Sequence, residues 1–118
     1  MADAALFIGW GQVVRGREER ALDVFNESVA YWGGLQSNGK IEDFEVVLLT
    51  PHGGDLDGFA LLRGSAEQID SLWGDEEFQR QVTRADLIVD NQGVVRGMIN
   101  EGLADSMSRY QGEVAELG

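Results

Sequence analysis

The residue types able to do acid–base or metal chemistry are few in this chain. His52 is the only histidine, and it sits in Pro51-His-Gly-Gly54, where it is a candidate general base, a candidate haem ligand or a plain solvated loop residue. A single histidine and no cysteine leave no multi-His or thiolate metal site within one chain, so no metal and no cofactor are called for. No G-x-S-x-G elbow points to a serine hydrolase. Three tryptophans are many for a chain of this length. Trp10, Trp32 and Trp73, with Arg63 and Arg96, form a candidate ligand-binding set: indoles to stack on a small apolar or aromatic ligand, guanidinium groups to pair with an acidic substituent. The plainer reading packs Trp32 and Trp73 in the core and ties both arginines into ion pairs with the abundant carboxylates.

Other motifs weaken on inspection. Gly9-Trp-Gly11-Gln-Val-Val14 begins like a dinucleotide fingerprint, but Val14 stands where the third glycine belongs. Glycines on one strand face leave instead a hollow for close approach by a helix, a partner or a ligand, which Gly97 would widen. Asp55-Leu-Asp57-Gly58 resembles part of a calcium loop, yet the first and twelfth ligand positions would be Gly53 and Gly64, so it reads as a turn. The pairs Glu18-Glu19 and Glu76-Glu77 fit the first turns of helices, where negative charge is favourable. Asn26-Glu27-Ser28 matches a glycosylation sequon inside a predicted helix and reads as chance.

The chain of 118 residues has 43% apolar and 25% charged residues, the composition of one folded domain spanning 1–118. Twenty-one acidic residues against nine basic ones give a formal charge of -12, a field that repels phosphate. Nucleic acids and anionic membranes are therefore not expected partners. The apolar stretch near Met1 is interrupted at Gly9 and lacks a basic flank, so neither a signal peptide nor a membrane span is expected and a cytoplasmic location is the default.

The elements that must position these residues follow from periodicity. An apolar run from Ala5 to Val14 predicts a first strand. Leu22, Phe25, Val29 and Trp32 recur at steps of three and four and predict a helix from Glu18 to about Leu35, ending at Gly33-Gly34 or within Gln36-Ser-Asn-Gly39. Ile41–Thr50 and Phe59–Arg63 predict two strands joined by a loop. Ser65 with Gln68 predicts a capping box before Ile69, Leu72 and Trp73; Gly74 breaks this helix and Asp75 caps another that runs to about Ile88. Val94–Asn100 predicts a fourth strand, and Leu103, Met107, Tyr110, Val114 and Leu117 trace one face of a C-terminal helix. Val13-Val-Arg-Gly16 and Leu61-Leu-Arg-Gly64 echo each other before the two helical halves. The fold class is therefore α+β, a ferredoxin-like β-α-β-β-α-β domain with a four-stranded antiparallel sheet in the order 4-1-3-2, plus the C-terminal helix.

Helices on one side of an antiparallel sheet leave the other side to alternate toward polar residues. Here either Val47 and Leu49 or Phe44, Val46 and Leu48 remain uncovered, as do either Phe7 and Val13 or Leu6, Ile8 and Trp10. Each such side chain is worth about 1.5–3 kcal/mol when buried. Pairing of two copies sheet to sheet, as a homodimer, satisfies them; the competing arrangement lays the C-terminal helix over that face. From Leu6 to about Asn100 the order of elements and the two-sided sheet resemble the dimeric α/β-barrel superfamily. That resemblance implies a homodimer and, among its branches, antibiotic-biosynthesis-type monooxygenases that need no cofactor, haem-degrading enzymes, stress-responsive barrel proteins and YCII-related proteins. No motif selects one branch, so three functions stay open: a small-molecule-binding homodimer, a cofactor-independent or haem-degrading enzyme, and a structural or stress-related assembly protein.

Overall fold

The computed structural model describes residues Met1–Gly118. The elements run β1 (Ala4–Trp10), α1 (Glu18–Ser37), β2 (Asp43–Leu48), β3 (Gly58–Gly64), α2 (Ala66–Trp73), α3 (Glu76–Asp86), β4 (Gly93–Met98) and α4 (Asn100–Leu117). The sheet order is β2-β3-β1-β4 and every neighbouring pair is antiparallel, as the sequence pattern predicts.

Alternation sorts the side chains. Ala4, Leu6 and Ile8 of β1 face the helices, with Ala60 and Leu62 opposite on β3, and join Trp32, Leu35, Ile41, Ile69, Leu72 and Phe78 in the main core. The other face carries Phe7 between its cross-strand partners Leu61 and Val95, and Val47 beside Phe59. The Phe7 and Phe59 rings stack at 5.2 Å. This face is apolar at its centre, polar at one end where Arg63 meets Asp43 and Glu45, and has no helix on it. The C-terminal helix does not take that role, since none of its residues is buried.

Local signals set the helix ends. Gly33 and Gly34 are absorbed inside α1, which closes instead through Gly39 at φ +72°. There the Lys40 N–H donates to the Leu35 carbonyl and the Gly39 N–H to that of Gln36, the pairing that a left-handed residue permits. Ser65 accepts from the Gln68 N–H while the Gln68 side chain accepts from the Ser65 N–H, a complete capping box. Asp75 caps α3 by accepting from the Glu77 and Phe78 N–H groups.

Two expectations about faces and edges are corrected. The buried stripe of α1 is Ala21, Val24, Ser28, Trp32 and Leu35, so Leu22 is exposed and Phe25 and Val29 lie on its flank. The first strand's ladder stops at Trp10, and Val13 rejoins pairing only through an isolated bridge to Val89. The reason is Gly11, whose N–H donates to the Asp90 carbonyl (2.8 Å) and whose missing side chain lets the Asp55 and Asp90 carbonyls close on it.

Tyr31 of α1 carries its hydroxyl out of solvent with no protein partner for the oxygen. Burial first, and then the Asp75 and Glu77 carboxylates, push its pKa up to about 12. The folded chain thus holds the phenol neutral where the unfolded chain ionises it, near the ordinary value of 10.0. Stability is expected to be unaffected by this group below that value and to fall as pH rises toward 12. Urea melts across this range should show a shallower decline for Tyr31→Phe, which is also expected to gain about 1 kcal/mol at neutral pH by removing an unpaired hydroxyl.

Candidate functional site

A cavity of about 450 Å³ lies on the helix side of the sheet, toward the C-terminal end of β1. Its origin is the composition of the inner stripe of α1. The second half of that stripe fills the space with Trp32 and Leu35, whereas the first half presents only Ala21, Val24 and Ser28. Small side chains there leave a gap between helix and sheet that Trp10, Phe25, Leu48 and Ile88 surround. Twelve of its fifteen lining residues are apolar, so the space favours apolar surface.

The rim is built from backbone. The Gly11 N–H donates to the Asp90 carbonyl, the Asp90 N–H to that of Gln12 (2.8 Å) and the Val14 N–H to that of Ile88 (2.9 Å), so Gly11–Val14 and Ile88–Asp90 form a short ribbon beside the mouth. Trp10 is held from two sides. Its carbonyl accepts from the Asp57 N–H (2.8 Å), and its indole lies over Gly58, where a Cβ would come within 2.9 Å of the ring. Phe25 meets the indole edge to face at 6.1 Å. Leu22 and Leu48 at the mouth are 65% and 67% exposed.

Three polar side chains line this space: Ser28, Glu18 and Gln92. Ser28 is the buried one, at 7% exposure, and offers a hydroxyl able to donate or accept. Glu18 is exposed, and its carboxylate accepts from the Gly16 N–H.

Of the residues singled out from the sequence, the structure brings Trp10 and Trp32 together in the cavity wall. The other candidates lie elsewhere. Arg63 is on the outer face of β3, hydrogen-bonded to Asp43 (3.1 Å) and Glu45, whose carboxylates hold its pKa above the usual guanidinium value. Arg96 pairs with Asp70 of α2 at 2.6 Å. Trp73, expected on the core stripe of α2, is 45% exposed and tilts against Phe78, because the helix ends at the next residue. His52 closes its own loop: Nε2 donates to the Leu56 carbonyl (2.6 Å) while Nδ1 accepts from the Gly54 N–H (3.2 Å), an arrangement that the Nε2–H tautomer satisfies on both sides.

The expected glycine hollow is also relocated. A Cβ on Gly9 would meet the Phe7 ring and Leu56, and one on Gly11 would meet two carbonyls, so both spaces are filled; only Gly97 is open, on the outer face of the sheet. The cavity is on the opposite side. Phe25, Leu48, Ile88 and Ser28 were not foreseen as its lining. The available signal was the run of small residues Ala21, Val24 and Ser28 at helical spacing, followed by the larger Trp32 and Leu35.

No family model matches the sequence, and no curated protein is similar to it. Solved structures share the fold at low identity. A hydroxynitrile lyase from Passiflora edulis superposes with a TM-score of 0.63 at 12% identity, over 86% of this chain and 97% of its own. A dimeric ferredoxin-like protein of unknown function from Jannaschia sp. gives 0.61 at 12% identity, over 82% and 98%. A variant of SnoaB, a cofactor-independent oxygenase from Streptomyces nogalater, gives 0.55 at 14% identity, over 84% and 93%. The chain has a ferredoxin-like fold. No helix is long and apolar enough to cross a membrane.

If the gap exists because Ala21 is small, enlarging that side chain should fill it. Ala21→Leu is expected to raise the stability measured by urea denaturation by about 1 kcal/mol. A loss of similar size would mean that the space is already occupied by protein atoms.

Proposed function

We propose that this chain is a cytoplasmic homodimer that binds a small, neutral, largely aromatic molecule in the cavity between β1, α1 and the end of α3. The observation that carries this reading is the apolar cavity itself, whose volume lies within the usual range for ligand pockets. Trp10, Phe25 and Trp32 supply surfaces for stacking, and Ser28 supplies one buried hydrogen-bonding group to fix orientation. An anionic ligand is disfavoured by Glu18 at the wall and by the net charge of -12. Arg63 and Arg96 stay in their ion pairs and take no part.

Binding is favoured over catalysis by the lining. Glu18 is the one ionisable side chain there, and its carboxylate is engaged by the Gly16 N–H, while His52 is outside the wall with both ring nitrogens engaged. The oxygenase and lyase among the similar structures keep an enzymatic reading in view, with Glu18 as the only local proton acceptor. The dimeric state is supported by the outer sheet face, where Phe7, Phe59 and Leu61 are half-buried with no helix over them and Val95 is 56% exposed, and by the Jannaschia protein, which is itself dimeric.

A neutral fluorescent probe, 1-aminoanthracene, tests the cavity. Saturable binding at one probe per chain is expected, weakened at least tenfold in Ser28→Trp and retained in Leu61→Glu. Equal binding by Ser28→Trp would place the probe elsewhere and sink the cavity reading. The interface has a separate test. Leu61→Glu puts a charge among the stacked phenylalanines, and light scattering after size exclusion is expected to show half the wild-type mass; an unchanged mass removes the sheet interface.

A further inference from the structure

The helix α4 has a seam and nothing on it. Leu103, Met107, Tyr110, Val114 and Leu117 are spaced four, three, four and three, the heptad alternation of a helix that packs lengthwise on another helix. All five are exposed, from 47% to 86%. The residues bordering the seam, Ala104, Ser106 and Gln111, are uncharged, with Glu113 the exception, although the whole chain carries a charge of -12. Charges gather instead on the remaining surface of the helix, at Glu101, Asp105, Arg109 and Glu116.

The root of this helix is fixed. Asn100 adopts a left-handed conformation at φ +51° and donates from its side chain to the Ala2 carbonyl (2.7 Å), and Gly102 lets the Asp3 carbonyl lie directly against the helix backbone. Beyond that point the helix, about 27 Å long, stands clear of the sheet. The consequence shows in the whole molecule. The radius of gyration is 16.3 Å, against about 13–14 Å for a compact chain of this length. The accessible surface is 7686 Å², against about 6,300 Å² for a compact monomer of this mass. The surplus, about 1,400 Å² over the whole chain with the outer sheet face included, exceeds the ~800 Å² that each partner buries in one stable interface.

We propose that α4 is an assembly helix whose heptad seam packs against α4 of a second copy, forming an interface separate from the outer face of the sheet. A second copy is the fitting occupant because a self-complementary seam with uncharged borders needs no partner of opposite charge. With both interfaces formed and their two-fold axes crossing at right angles, two of the sheet-paired dimers join and the assembly closes at four chains.

The chain contains no cysteine, so a single introduced thiol reports on one position. In the full-length protein, Tyr110→Cys lies on the seam and Asp105→Cys on the opposite side of the helix. A short bismaleimide is expected to join Tyr110→Cys into covalent dimers and to leave Asp105→Cys as single chains; equal yields from the two, or none from Tyr110→Cys, would overturn the proposal. Met107→Glu is expected to halve the mass read by light scattering with the thermal midpoint of the body unchanged, because α4 buries none of its own residues. An unchanged mass would overturn it. Cross-linking of Tyr110→Cys is expected to persist when Leu61→Glu is added. Loss of cross-linking there would show that the two interfaces are one and refute the separate seam, whereas failure of Leu61→Glu alone to change the mass bears on the sheet face and not on α4.

Discussion

Strand β1 is hydrogen-bonded along both edges, to β3 and to β4, and its two faces carry Leu6 and Ile8 on one side and Phe7 on the other. A central strand of this kind needs apolar cover above and below, yet the chain supplies helices to one face only. The distribution of residues follows from that imbalance. Leu6, Leu62, Ile69 and Phe78 are fully buried on the helix face. The opposite face gathers its own aromatic pair, Phe7 with Phe59, and has no helix over it. Ion pairing of Arg63 with Asp43 and Glu45 marks where that apolar field gives way to a polar border.

The same helix layer is unevenly filled. Where α1 presents Trp32, its indole reaches Phe44 edge to face at 6.1 Å and the space closes. One to three turns earlier, Ala21 and Ser28 cannot reach the sheet, and the space stays open. Because Leu6, Leu62, Ile69 and Phe78 are fully buried on the same side of the sheet, this gap is a local property of a few side chains. Trp10 contributes to both conditions: Gly58 gives its ring room to lie against β3, and the ring then becomes one wall of the gap.

Much of this architecture was legible in the sequence, since its signals are local. Ser65 and Gln68, Asp75, and the polar stretch ending at Gly39 mark helix ends by chemistry that involves only nearby residues, and strand alternation gave the sheet's two faces. The site was less legible because it depends on what lies opposite. Leu22 and Phe25 share helical spacing with Trp32, but the helix turns Ala21 and Val24 to the core, a rotation of one residue that periodicity alone does not fix. Trp73 keeps the spacing of Ile69 and Leu72 yet emerges where its helix stops. The filling of Gly9 by the Phe7 ring, and of Gly11 by carbonyls from two distant loops, could be seen only once the chain was folded.

The cavity's rim is closed by main-chain hydrogen bonds among Gly11, Gln12, Val14, Ile88 and Asp90. Apart from Gly11, whose lack of a side chain the closure requires, the frame does not depend on which side chains its residues carry. Positions such as Val13 and Gln92 are therefore free to exchange while the opening keeps its outline. If the cavity binds a ligand as proposed, selectivity is separable from folding, and the preference can be rewritten by drift or by design one wall residue at a time.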